Sequence, residues 1–310
     1  MKDQKIKKIV RNRYAKVAKT SGSCCASSMS CCSAPPTGAQ VSKLVGYSQE
    51  EMASVPEGAN LGLGCGNPIA VAWLKPGERV LDLGSGAGFD CFLAAKKVGA
   101  QGKVIGVDMT HEMLDKARAN AAKGKYSNVE FRLGEIENLP VADNSVDVII
   151  SNCVINLSTN KKRVFEEAYR VLAAGGRLMV SDIVLLKPLP EAIKKDVEAY
   201  AGCIAGAELK ELYLKLIEDA GFSDVDVLEE TGYPLEYIIS EDAFKGALDK
   251  LDFSKEELKA TANSIVSIKV SACKKVFREI CDESSKSLSP VPSAETSVQT
   301  TQPDPNQTSF

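Results

Sequence analysis

The chain has 310 residues, a formal net charge of −3 and a hydrophobic content of 44%. That is long enough for one or two domains with a real core, while the mild acidity (pI about 5.5) argues against nucleic acid as a partner. No apolar run approaches the ~20 residues needed to span a bilayer, and the polar N-terminus MKDQKIKKIVRNRYAKVAK lacks the apolar centre of a secretion signal.

A cytoplasmic location with no membrane partner is therefore expected, with a monomer as the default. Ten cysteines in such a chain point to metal binding, catalysis or burial rather than a disulfide framework. The single histidine, His111, leaves little ordinary proton-transfer chemistry.

Ile6, Ile9, Val10, Tyr14 and Val17 recur at helical spacing among basic residues. They predict an amphipathic helix over residues 2–20, packed on the core or over a ligand. Ser21 to Gly38 is a low-complexity Ser/Cys/Pro segment with two vicinal pairs, Cys24–Cys25 and Cys31–Cys32. It reads either as a mobile linker or as an arm delivering thiols to a soft ion or an oxidised cysteine; the spacing is not the C-x2-C of a zinc site. Ser48, with Glu51 three residues on, predicts a capped short helix. In NLGLGCGNP, Cys65 lies between Gly64 and Gly66, which predicts a bare, mobile loop suited to a reacting thiol.

The sequence VLDLGSGAGFD then gives a short strand, three glycines at alternate positions (Gly84, Gly86, Gly88) and a helix start. Such a turn lets backbone approach a ligand's polar group. A second strand, KVIGVDM, ends in Asp108 and Met109; an acid there is placed to accept hydrogen bonds from ribose hydroxyls. Strands are expected at 80–84, 103–108, 129–135, 146–153 and 176–184, with helices at about 90–99, 111–123 and 160–172. That alternation predicts an α/β fold with a doubly wound, mostly parallel sheet. Ligands of such sheets sit outside the C-terminal strand ends. Gly134–Glu137, including Ile136 and Glu137, and Ser151–Asn152 are expected to line the site. Cys153 stands at the same edge, where a packing role is the alternative.

After the fifth strand, Pro188 and Pro190 turn the chain into a lid-like insertion. Cys203 follows Gly202 and precedes an expected helix start at AGAEL, which would give it thiolate character. Residues 222–240 can supply the last strands. Residues 240–283, with Cys273 and Cys281, read as helical, and the tail from Ser284 as disordered. The expected divisions are a basic helix and Cys-rich arm (1–45), a nucleotide-binding sheet (46–185), a lid with the last strands (186–240), a helical region (241–283) and a tail (284–310).

Cys65, Cys153 and Cys203 are each expected to face one cleft. They are far apart in sequence and form no local pair, unlike a structural zinc site. A three-coordinate soft ion fits better: trivalent arsenic takes three thiolates in a pyramid, its lone pair filling the fourth direction. That lone pair carries no proton, so attack on a sulfonium methyl needs positioning and exclusion of water rather than a base.

The GxGxG spacing, rather than GxGxxG, resembles motif I of the S-adenosylmethionine-dependent methyltransferases, making a nicotinamide enzyme the less favoured reading. The resemblance implies a seven-strand-type class I sheet with a helical or α+β C-terminal extension. It also implies Asp82 near the cofactor's methionine moiety and Asp108 on the ribose. The segments NLGLGCGNP, SNCVINL and AGCIAGA each resemble signatures of the arsenite methyltransferases, over about residues 45–245. By that resemblance Cys153 and Cys203 are the direct arsenic ligands. Cys65 joins them and forms a disulfide as pentavalent product is reduced. Thioredoxin or glutathione restores the thiols, and arsenite and methylarsenite are the substrates. An N-terminal tyrosine, here Tyr14, would lie over the methionine end. A fourth, N-terminal cysteine matches the Cys31–Cys32 pair best, with Cys32 the candidate and Cys24 and Cys25 still open. Two other readings stand beside this one. One is a carbon or oxygen methyltransferase of the quinone-biosynthesis type. The other is a metalloid-binding or redox-sensing protein that consumes no methyl donor.

Overall fold

The computed structural model describes residues 2–20, 38–194, 200, 203–232 and 255–276. Helices α1 (Lys2–Thr20), α2 (Gly38–Leu44), α3 (Gln49–Ala53) and α4 (Pro68–Val71) precede the sheet. Then come β1 (Arg79–Leu83), α5 (Phe89–Val98), β2 (Lys103–Asp108), α6 (His111–Gly124), β3 (Val129–Leu133), β4 (Val146–Asn152), α7 (Lys161–Val171) and β5 (Leu172–Leu185). They are followed by α8 (Glu191–Lys194), β6 (Glu208–Leu209), α9 (Lys210–Asp219), β7 (Ser223–Gly232), α10 (Lys255–Ala262) and β8 (Ile265–Cys273). Among the described residues, no helix is long and apolar enough to cross a membrane.

The sheet order is β3-β2-β1-β4-β5-β8-β7, with β6 alongside β5. Strands β1 to β5 are parallel, and β8 runs antiparallel between β5 and β7. Both faces are covered, so the strands are apolar throughout and alternate side chains serve opposite cores. From β1, Leu81 and Leu83 join Phe165 of α7 and Tyr213 of α9. Val80 joins Phe92 of α5 and Leu114 of α6 on the other side. The strand order reverses between β1 and β4, and a crevice opens at their C-terminal ends, where such folds take ligands. The capping box of α3 is present: Ser48 Oγ accepts from Glu51 N at 3.0 Å and Glu51 Oε2 from Ser48 N at 2.9 Å.

Two expectations are corrected. The region 240–283 is not uniformly helical, because Ile265–Cys273 forms β8, paired from Leu185↔Ile265 to Arg177↔Cys273. Val266, Ile268, Val270 and Ala272 are buried on one face of β8 and alternate with Ser267, Lys269 and Ser271, a period-2 pattern that the helical expectation passed over. Cys273 therefore ends a strand, and Cys281 lies outside the described residues. The second correction concerns AGAEL, which opens no helix. Glu208 and Leu209 pair with β5 as β6, and α9 begins at Lys210.

Candidate active site

The glycine turn after β1 forms one wall of the crevice. Gly84 has φ +68°, and a Cβ there would stand 2.4 Å from Val154, so only glycine lets the post-β4 segment approach. Gly86 (φ +51°) has nothing within 4 Å of where a Cβ would point, leaving room for a ligand. Its N–H donates to Asp108 Oδ2 at 3.0 Å, while Thr110 N donates to Oδ1 at 2.8 Å. Asp108 is thus fixed at the end of β2 with lone pairs left for hydroxyl donors, and burial raises its pKa from the ordinary value. Asp82 is buried beneath the turn. Desolvation and then neighbouring Asp90 push its pKa well up, while Cys91 Sγ donates to its Oδ2 at 3.1 Å.

These groups line a cleft with Tyr14, Gly84, Gly86, Met109, Ile136, Glu137, Asn152 and Cys153. Of the sequence-predicted nucleotide residues only Gly88 is absent from the wall, because it caps α5 from behind. Ring-sized apolar walls, two acids at strand ends and the open space at Gly86 fit an adenosyl ligand.

Helix α1 closes over this cleft. Its Lys7 Nζ pairs with Glu135 at 2.7 Å and Glu137 at 3.1 Å, and Arg11 with Glu135 at 3.5 Å. Burial opposes the charge on Lys7, but the two glutamates prevail and its pKa is raised. Tyr14 extends through the cleft until its hydroxyl lies 4.0 Å from Cys203 Sγ.

The three cysteines meet behind Cys153, in one buried cluster with Val10, Leu157, Ile183 and Ile204. Cys65, Cys153 and Cys203 are 3%, 6% and 4% exposed. Cys203 Sγ donates to the carbonyl oxygen of Cys153 at 2.9 Å, and Cys65 Sγ and Cys153 Sγ lie within 4.8 Å of one another. Cys153 (φ +59°) and Cys203 (φ +65°) are both left-handed. For non-glycine residues this conformation carries strain, which concentrates at functional sites.

The expected mobility of the Cys65 loop is corrected. A Cβ on Gly64 would stand 2.5 Å from Asn152 Nδ2, and one on Gly66 1.8 Å from Ser181 Oγ. The glycines therefore serve close packing, not freedom. Asn152 holds the loop: its Oδ1 accepts from Cys65 N at 3.1 Å and its Nδ2 donates to Gly66 O at 2.9 Å. The expected thiolate character of Cys203 is also corrected. Its contact with the Cys153 thiol, and then burial, push its pKa well up. Burial raises that of Cys65. For Cys153 the contact with Cys203 favours the thiolate, but Cys65 and burial outweigh it. The resting thiols are thus protonated. Cys32, Cys24, Cys25 and Cys31 lie outside the described residues.

Sequence reasoning missed two buried acids. Asp90 accepts from Tyr47 OH at 2.6 Å and Asn152 Nδ2 at 3.1 Å; burial raises its pKa to about 6. Asp182 accepts from Asn156 Nδ2 at 2.8 Å and Tyr213 OH at 3.0 Å; burial raises its pKa to about 7. A single acid inside the apolar strand MVSDIVL was the available signal for Asp182.

A family profile described as a methyltransferase domain matches residues 74–221. An arsenite methyltransferase of Halobacterium salinarum is 51% identical over 231 residues, covering 72% of this chain and 59% of that protein. One of Aquipseudomonas alcaligenes is 40% identical over 228 residues, covering 71% and 63%. The chain thus spans about three fifths of the length of these curated relatives. Among solved structures, an arsenic(III) S-adenosylmethionine methyltransferase from Chlamydomonas reinhardtii superposes with a TM-score of 0.57 at 35% identity, over 79% of this chain and 76% of that one.

Proposed function

Since the chain belongs to the arsenite S-adenosylmethionine methyltransferase family, we propose that it methylates trivalent arsenic, as arsenite and methylarsenite, held by cysteine thiolates. The observation that carries this reading is the convergence of Cys65, Cys153 and Cys203 in one buried cluster, with Cys153 opening onto the cleft lined by Asp82 and Asp108. When bound, S-adenosylmethionine supplies a methyl carbon on a sulfonium, open to in-line attack. Asp108 would accept from ribose hydroxyls, Asp82 and Asn152 would hold the methionine end, Met109, Ile136 and Glu137 would pack the base side, and Tyr14 would cover the methyl region.

Arsenite enters as a neutral hydroxide. Each thiol gives its proton to a departing hydroxide as an As–S bond forms, so one water leaves per bond. This suits protonated resting thiols, because capture of arsenic supplies the driving force for deprotonation. Three sulfurs leave the arsenic lone pair uncommitted, and no protein base is required. Apolar Val10, Leu157 and Ile204 exclude water around the thiols.

Return of the methylated arsenic to the trivalent state takes two electrons. They come from two thiols that close a disulfide, with Cys65 one partner and an N-terminal cysteine such as Cys32 the other when product departs. Thioredoxin or glutathione reopens it. The cycle serves arsenic detoxification in a reducing compartment such as the cytoplasm, with a monomer sufficient for the chemistry.

The test is to incubate the chain with arsenite, S-adenosylmethionine and a thiol reductant and to speciate the arsenic over time. Methylarsenicals are expected. Their absence from a folded sample that binds the methyl donor overturns the reading.

A further inference from the structure

Beside the thiols lies an oxygen donor for which methyl transfer has no task. Sγ of Cys65, Sγ of Cys153 and a carboxylate oxygen of Asp182 all lie within 4.8 Å of one another, and all three residues are buried. Asp182 Oδ1 accepts from Asn156 Nδ2 and from Ile183 N at 3.0 Å. Its Oδ2 accepts from Tyr213 OH, which leaves that oxygen a lone pair. Cys153 gives the triangle an entrance from the cleft. Cys65 is braced from behind, its carbonyl accepting from Ser267 Oγ at 2.9 Å.

We propose that Cys65, Cys153 and Asp182 form a binding site for a divalent thiophilic cation of the zinc and cadmium class, which shares two donors with trivalent arsenic. The two occupants differ in what they ask of the third donor. Arsenic with its lone pair takes a third sulfur, Cys203, and has no use for a hard carboxylate. A d10 divalent cation has no lone pair, takes four ligands in a tetrahedron and accepts mixed sulfur and oxygen donors. At metal–sulfur distances of about 2.3 Å and metal–oxygen distances of about 2.0–2.2 Å, the donors need close in by no more than about 1 Å. Water fills the fourth position. On binding, the two thiols release their protons to solvent, as does the fraction of Asp182 that is protonated at neutral pH. Two thiolates and a carboxylate then carry −3 against the cation's +2. The half-buried Lys161 interacts electrostatically with Asp182 and Cys203, and its positive charge offsets the remainder. Divalent cation and arsenite thereby exclude one another. Asp182 is the residue that tells them apart.

The test uses the full chain with Cys24, Cys25, Cys31, Cys32, Cys273 and Cys281 each replaced by Ser, kept reduced by a phosphine. Cadmium(II) alone is titrated and read by its ultraviolet thiolate charge-transfer band; arsenite is titrated separately. Asp182→Asn keeps the shape and the bonds from Asn156 and Ile183. It is expected to lower cadmium affinity by about tenfold or more and to leave arsenite affinity within about twofold. Cys203→Ser is expected to do the reverse. Cadmium affinity unchanged in Asp182→Asn overturns the proposal, as does a Cys203→Ser variant that loses cadmium as fully as arsenite. Circular dichroism checks the fold, and if Asp182→Asn does not fold, the Cys203→Ser comparison decides. Only the competition rests on the arsenic reading. An unsubstituted chain that binds cadmium through Asp182 but never binds arsenite defeats that reading and leaves this one standing.

Discussion

The backbone N–H of Cys65 donates to Asn152 Oδ1 at 3.1 Å, although the two residues are 87 positions apart. Nδ2 of Asn152 in turn donates to Tyr47 OH, Gly66 O and Asp90 Oδ2. One side chain at the end of β4 therefore fixes both the thiol loop and the floor of the cofactor cleft. Asn152→Ala strips all of these contacts and leaves buried groups unpartnered. It is expected to cost roughly 2–3 kcal/mol in denaturant unfolding and to weaken arsenite and methyl-donor binding together. Loss of one affinity alone would contradict the shared tie.

Gly66→Ala places a Cβ 1.8 Å from Ser181 Oγ. We expect the Cys65 loop to be displaced, with a loss of roughly 1–3 kcal/mol from overpacking and slower arsenite methylation. Ser181→Ala in the same chain removes the clashing hydroxyl and should restore part of both, as thermal unfolding and rate measurements will show. Ser181 Oγ has no hydrogen-bond partner among the described residues, so its removal alone should be nearly neutral.

Burial raises Asp90 from its ordinary range to about 6. The folded state then holds a proton that the unfolded state has released between about pH 4 and pH 6, so this group makes stability fall as pH rises through that window. The full effect is roughly 3 kcal/mol. Urea unfolding at closely spaced pH values is expected to show the decline, and Asp90→Asn to flatten it.

Lys7 is 13% exposed at its side chain and ties α1 to Glu135 and Glu137. Lys7→Ala should loosen the helix over the cleft and weaken methyl-donor binding by about fivefold, equivalent to about 1 kcal/mol for a partly shielded ion pair. Calorimetric titration with S-adenosylmethionine checks this, with global stability nearly unchanged.

The parallel half of the fold was legible in the residues. Strands β1 to β5 and helices α5 to α7 fall within a few residues of their expected positions because apolar runs, glycine stops and caps agree locally. β8 was missed although Val266, Ile268, Val270 and Ala272 alternate with Ser267, Lys269 and Ser271, because that alternation is short and directly follows the helical pattern of Lys255–Ala262. Cys65, Cys153 and Cys203 share one buried cluster, but of the three expected to face the cleft only Cys153 lines it. Gly64 and Gly66 suggest freedom when read in sequence, yet they serve contact with Asn152 and Ser181, which only folding brings near. Asp182 likewise reaches Cys65 and Cys153 only through the pairing of β4 with β5.

The most direct measurement is X-ray absorption at the arsenic edge of arsenite bound to the reduced chain carrying Ser in place of Cys24, Cys25, Cys31, Cys32, Cys273 and Cys281. Three sulfur neighbours are expected, with one replaced by oxygen in Cys153→Ser and in Cys203→Ser. An oxygen-dominated shell, or a shell that neither substitution changes, would contradict the convergence of these thiols on one atom.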